Sequence, residues 1–433
     1  MANLLQKASI VLTPTAYDNG KVLCAKPSES PYGDFDFSRN SAATRVNAQG
    51  LVENVQILSS NLVQNPSFSE EGVQEVSNGS FSQEGAELLS QPVNLVNDFV
   101  ENGGGVIVDA DTFETFGGIF DGIKKSFLVV GKSYKLVIEG DTTSNGFTIG
   151  SNVASGNEYG SGFGTHYFTA VVNSVLWVRQ KTSGTTNITS FSVREVGQDW
   201  FFSGEAELTE QGARIYSSSG GQSYINQDAL TNTKSYKLSY EITDSTQGSI
   251  KLINVNGVSN YPIASSVGTH TEYFTANSNT LFIYRSGVTD ITITNISVKE
   301  VGMDWTLNDW SVGDSLISSG NTSTLLQQFP IYTSTTSIYK TTFKAKSVNG
   351  TSVTLRVYDG ANSSGSYETF TITSSDFQDF TFTRQRVGTD AGLSFFNNSG
   401  AEIEITNISV IEITDDTSLP RINYEGFSYQ DAL

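Results

Sequence analysis

One cysteine, two histidines and two methionines are spread over 433 residues, with only eight prolines. Each scarcity removes a class of protein. Cys24 alone forms no internal disulfide, so no disulfide framework is expected and folding needs no oxidising compartment. His166 and His270 occupy equivalent places in a repeat and have no third counterpart. No Ser/His/Asp set, paired metal-binding histidines or phosphate-cradling glycine loop stands out. The expectation is therefore no enzyme, no catalytic residues, no metal ligands and no cofactor. A structural calcium held by loop carboxylates and carbonyls stays open. Acidic pairs such as Glu70-Glu71 and Asp415-Asp416 have the composition of glycosidase carboxylates, but 45 acidic residues produce such pairs by chance. Basic residues number only 25, giving a net charge of −20, which argues against nucleic acid and against anionic membrane surfaces. No apolar run is long enough to cross a bilayer, so no membrane insertion is expected. Residues 1–15 lack the ordered charged, apolar and cleavage regions of a secretory signal. A role outside a cell would then mean release by lysis or as part of a particle.

What is abundant is glycine, with 40 residues, and aromatic residues, at 11%. That composition fits turn-rich all-β domains. The stretch Thr294-Asn295-Ile296-Ser297-Val298-Lys299-Glu300-Val301-Gly302-Met303-Asp304-Trp305 has a near copy at 186–200 and a third version at 403–413. Each alternates β-branched and polar residues, the period of a strand with one buried face. Recurring at about domain length, it reads as the closing strand of a domain used three times, ending at Val196, Val301 and Ile413. Other segments repeat in step. Lys132-Ser133-Tyr134-Lys135-Leu136 recurs at 234–238 and, more loosely, at 337–341. Gly164-Thr165-His166-Tyr167-Phe168-Thr169-Ala170 recurs at 268–276. Many short strands in about 105 residues predict antiparallel β-sandwiches. The expected architecture is all-β: a small N-terminal β module over 1–60, a linker at 61–85, then jelly-roll domains at 86–198, 199–303 and 304–415. A tail, 416–433, follows. The linker holds a small duplication, Asn65-Pro66-Ser67-Phe68-Ser69 echoed by Asn78-Gly79-Ser80-Phe81-Ser82. The first domain alone contains Gly103-Gly104-Gly105 and the segment from Phe113 to Phe120.

Two resemblances arise from these residues. Asp34 to Glu53, including Asp34-Phe35-Asp36-Phe37-Ser38-Arg39 and Ala43-Thr44-Arg45-Val46-Asn47, resembles a segment of virion structural proteins of tailed bacteriophages, fibre and appendage proteins especially. There it is often followed by an element like Pro420-Arg421-Ile422-Asn423-Tyr424, which here comes far later. The resemblance implies that the intervening domains are an insertion and that 418–426 returns to pack beside 35–55. The Asp-Trp starts at 199–200 and 304–305, with the Thr-Asn-Ile-Ser closing strands, resemble jelly-roll carbohydrate-binding modules. Together they imply a fibre or spike subunit localised to the virion. Its expected partners are other virion proteins at the N-terminal module, two further copies in a homotrimer, and a host cell-surface glycan. A bacterial secreted or surface glycan-binding protein is the alternative.

Aligning the penultimate strands on Leu176, Leu281 and Leu393 assigns Leu176/Val178, Leu281/Ile283 and Leu393/Phe395 to the core. Trp177, Phe282, Tyr284 and Phe396 then fall on the opposite face, with Arg179 beside Trp177. These are the candidate glycan-binding residues, since aromatic rings on an outer sheet face suit stacking on sugars. The same faces would equally suit burial against a neighbouring domain or subunit. Trp200 and Trp305, at the domain junctions, are expected to be interdomain packing anchors.

Overall fold

A computed structural model describes residues 11–18, 21–25, 33–36, 43–46, 51–118, 120–151, 158–318, 324–360, 366–386, 391–397 and 399–415. Among the described residues the regular structure is antiparallel strand, apart from one short helix, Leu95–Asp98. The chain divides into two compact units, residues 71–301 and residues 1–70 with 302–433.

In the N-terminal part, Val11–Asp18 pairs with Lys21–Ala25, which pairs in turn with Gly33–Asp36. Ala43–Val46 and Val52–Val55 form a separate hairpin. Asp18 pairs with Lys21, so the first two strands form the antiparallel pair that the sequence there predicts. The C-terminal segment 416–433 lies outside the described residues, and so does the expected return of Ile422 to Val46.

Three β-sandwich modules follow. The first has one sheet ordered Gly164–Thr169, Ser133–Thr142, Gly184–Val196, Thr112–Thr115, Val106–Ile107. Its other sheet is ordered Glu158–Ser161, Phe147–Gly150, Val175–Gln180, Gly122–Ser126, Val100–Asn102. Inward residues of both sheets, among them Phe113, Ile123, Leu136, Phe147, Leu176, Val178 and Val193, form one fully buried core. In the second module the corresponding strands are unbroken. Ser235–Val255 and Thr280–Val301 pair along nearly their whole length, bending at register shifts that mark β-bulges. The third module repeats the plan with Ile338–Ser347 between Ile403–Asp415 and Gln378–Gln385, and with Leu393–Asn397 between Thr324–Gln328 and Val353–Tyr358.

One tyrosine marks the repeat. The hydroxyls of Tyr134, Tyr236 and Tyr339 each accept the backbone N–H five residues upstream, from Val129 at 2.7 Å, Thr231 at 2.7 Å and Ser334 at 3.1 Å. Burying a phenol requires a hydrogen-bond partner. Hence the same loop is fastened three times.

The segment expected as a linker is built into the modules, which corrects that reading. Leu58 pairs with Ile413, and the Leu62 N–H donates to the Val410 carbonyl. Further on, Gly72 and Glu75 donate to Glu300 and Val298. Glu84–Glu87 then pairs with Gly184–Val196. The chain therefore lays down a strand for the third module first, then a bridging segment for the second, then a strand for the first. It completes the modules in reverse order, so they are nested. Asn61, Gln74 and Glu87, evenly spaced, each bind the matching stretch of a closing strand: the Asn61 Oδ1 accepts the Val410 N–H, the Gln74 Oε1 the Ser297 hydroxyl, and the Glu87 carboxylate both the Val193 N–H and the Ser192 hydroxyl. Polar, turn-rich composition hid this role. The exposed edge of each closing strand needs backbone partners whatever side chains supply them.

The small duplication supplies the turns between these strands. Phe68 and Phe81 both take positive φ, 59° and 57°, a costly conformation for a bulky residue. Packing on a tryptophan offsets that cost. Phe68 meets Trp305 and Phe81 meets Trp200, each at 5.2 Å between ring centroids. The Trp305 Nε1 donates to the Gln64 and Asn65 carbonyls, and the Trp200 Nε1 to those of Ser77 and Asn78.

Candidate carbohydrate-binding surfaces

Strand alternation puts the candidate aromatics where the sequence places them, on the faces away from the cores, but the three faces differ. In the first module Leu176 and Val178 are fully buried as expected. Trp177 faces the other way, yet it too is only 2% exposed. Phe120 lies over it, nearly parallel at 6.0 Å, and the Arg179 guanidinium packs at 5.1 Å. Trp177 therefore offers no open ring, and the expectation of an exposed platform there is corrected.

The cap that carries Phe120 has a clear chemical origin. The Asp121 carboxylate accepts backbone N–H groups from Gly104 at 2.6 Å, Gly118 at 2.8 Å and Phe116 at 3.3 Å. Those bonds, chiefly from Gly104 and Gly118, hold its carboxyl below the usual aspartate range. A Cβ on Gly104 or Gly118 would stand 3.0 or 2.5 Å from this carboxylate. Gly104, Gly118 and Phe120, from the segments unique to the first module, are thus parts of one cap.

The second module is open. Tyr224 pairs across strands with Tyr284, and Asn226 with Phe282. Tyr224 stacks on Tyr284 at 5.3 Å and meets Phe282 edge-on at 5.6 Å. The Lys251 ammonium and Arg285 guanidinium pack on Tyr284 at 5.4 and 5.6 Å. Phe201, on the edge strand Phe201–Gly204, extends the cluster 6.3 Å beyond Tyr224 and is 55% exposed. The sequence reading missed Phe201 and Tyr224. Their signal was the alternation in Phe201-Phe202 and Ser223-Tyr224-Ile225, which lies in the entry region where the modules align least. In the third module Phe396 is half-buried, against Tyr358 at 6.4 Å. Tyr358 in turn packs on Tyr367 at 4.9 Å, and Arg356 covers Tyr367. Trp200 and Trp305 belong to the connector contacts described above.

No protein-family model and no curated protein matches the chain. Solved structures similar to it include the tandem carbohydrate-binding modules CBM22-1 and CBM22-2 of Paenibacillus barcinonensis Xyn10C, at 10% identity over 50% of this chain and 94% of that one, TM-score 0.21. A family 16 carbohydrate-binding module is 18% identical over 25% of this chain and 87% of its own, TM-score 0.19. A triple jelly-roll protein from the turret assembly of an archaeal virus is 14% identical over 73% and 89%, TM-score 0.19. At these TM-scores the likenesses carry no conclusion about function.

Proposed function

We propose that the chain is a non-enzymatic structural component of a tailed-phage virion, a fibre or spike subunit that presents glycan-binding β-sandwiches to the host surface. The observation that carries this reading is the phage-like segment from Asp34 to Glu53. In this reading the N-terminal module attaches to other virion proteins, and three copies assemble as a homotrimer. The partly exposed aromatic cluster around Phe282 and Tyr284, with the exposed Phe201 beside it, is what favours glycan attachment, since ring faces and edges on an outer sheet suit the C–H faces of sugars.

Two measurements test it. Negative-stain imaging with antibody to this chain should label an appendage of phage particles. Labelling of bacterial surfaces with unlabelled particles would favour the secreted or surface glycan-binding alternative. Light scattering of the purified chain should give three times its 46.8 kDa mass. A monomer at micromolar concentration would remove the fibre assembly.

A further inference from the structure

The exposed Phe201 ring stands at the mouth of a cleft of about 460 Å³, bounded also by Glu75, Asp199, Asn226, Asp228 and Lys132. Its floor is fixed. The buried Gln227 amide accepts the Ser77 N–H at 2.7 Å and donates to the carbonyls of Ser77 and Asp199, both at 3.1 Å. The Trp200 indole closes the same corner through its bonds to Ser77 and Asn78. The walls are less occupied. Among the described residues, the side chains of Glu75, Asp199 and Asn226 make no hydrogen bond or ion pair. Asp228 uses one carboxylate oxygen for the Thr280 hydroxyl, at 2.5 Å. A rigid floor, a volume within the range of ligand sites, and unengaged polar groups beside an open ring are the marks of a preformed site.

We infer that this cleft binds a neutral hexose residue of a glycan, a conclusion that rests on the modules being glycan binders. The sugar's C–H face would lie on Phe201, while its hydroxyls donate to Asp199, Asp228 and Glu75 and exchange hydrogen bonds with Asn226. Hydroxyl bonds to carboxylates are charge-assisted and short. Charge selects the class. Three carboxylates line the cleft against one lysine, Lys132, whose ammonium is already 2.8 Å from Glu195. An acidic sugar would enter against net repulsion. A point cation is a poorer fit, because these carboxylates do not converge: among the described residues no group of three acids is placed to hold a metal ion. Spaced acceptors with one amide suit a polyol.

The test uses the full chain on an array of neutral hexose oligosaccharides, with uronic-acid, sialylated and free-amine oligosaccharides beside them. Binding to a neutral member should fall about tenfold in Phe201→Ala, the loss of one ring contact. It should also fall in Asn226→Ala and in Asp199→Asn, the last keeping a residue that tolerates the φ of 71° found there. Val267→Ala, at an exposed position outside the cleft lining, should leave it within twofold. Neutral-glycan binding that survives Phe201→Ala and is lost in Tyr284→Ala would overturn the cleft and keep the glycan reading. Preference for acidic or amine-bearing members would overturn the ligand class. Absence of binding across the array would overturn both the cleft and the glycan reading. An unchanged melting temperature in each variant confirms that lost binding is not lost folding.

Discussion

The first two modules are the same scaffold with different surfaces. Their tyrosine bonds match at 2.7 Å, and Tyr134–Phe168 and Tyr236–Phe274 pack at 5.6 and 5.8 Å. Ser133 meets Thr169, and Ser235 meets Thr275, through hydroxyl bonds of 2.9 and 3.0 Å. Yet one module covers its outer tryptophan with its own cap, whereas the other leaves its tyrosines and Phe201 accessible. Beside the fastened loop the first module exposes Val129, Val130, Val171 and Val172, at 57, 53, 50 and 45%. The second has Thr231 and Asn232, then Asn277, Ser278 and Asn279, in the corresponding turns. Cores and corner bonds hold the architecture, so change is confined to caps and loop tips, where a new side chain costs little stability.

The largest expected effect breaks the comparison at the aromatic face. Trp177→Ala removes a ring buried like core and should cost about 3–5 kcal/mol, read from denaturant midpoints. Tyr284→Ala, half-exposed, should cost about 1 kcal/mol. Equal costs would mean that the two faces are alike after all.

Next comes the cap. Asp121 is ionised and hydrogen-bonded in the folded chain, with its carboxyl lowered from the ordinary value. A lowered folded value means its contribution is fully present above the unfolded pKa, about 3.9, and is lost as pH falls through the lower folded value. Trp177 emission should therefore shift to the red in that acid window. Asp121→Asn should show the shifted emission at neutral pH and lose the transition. An acid response identical in both chains would separate the cap from this carboxylate.

How much of this was legible in the sequence follows from which interactions are local. The closing strands were readable because Val193, Val298 and Val410 sit in period-two patterns that burial of one face imposes. So were the core partners Leu176/Val178 and Leu281/Ile283. The nested connections were not, because Asn61, Gln74 and Glu87 bond to strands more than a hundred residues away, or more than two hundred, and are three different residues. Alternation also gave Trp177 the right face but could not show that Phe120, held by Asp121 and distant glycines, covers it.

A smaller effect tests the loop itself. Gly131 and Thr233 occupy the same turn position, with φ of 89° and 73°, and donate to Ala170 and Ala276 at 2.7 and 2.8 Å. A β-branched residue pays about 1–2 kcal/mol at such φ, while glycine loses about 0.5–1 kcal/mol in chain entropy. Thr233→Gly should therefore stabilise the second module by about 0.5 kcal/mol, and Gly131→Thr should destabilise the first by a similar amount. The space around Gly131 is open, with no atom within 4 Å of the place a Cβ would take, so steric clash cannot supply the difference. Matching signs in the two swaps would show that the turns are not equivalent.

The smallest effect on stability belongs to the four valines. They lie outside the core, and the turn hydrogen bonds beneath them use no valine side chain: Gly131 donates to Ala170, Leu128 to Ser174 and the Val129 N–H to the Tyr134 hydroxyl. Replacing them with the polar residues of the second module, as Val129→Thr, Val130→Asn, Val171→Asn and Val172→Ser, keeps those bonds. Each exchange should change stability by no more than about 0.5 kcal/mol. The surface should change far more. Removing four isopropyl groups from exposed positions in adjacent loops takes away apolar surface that water meets. Retention on a hydrophobic-interaction column should drop for the fourfold variant while the melting temperature stays put. A fall in melting temperature with unchanged retention would mean that the valines are covered in solution, and that the first module's surface is closer to the second's than its exposure indicates.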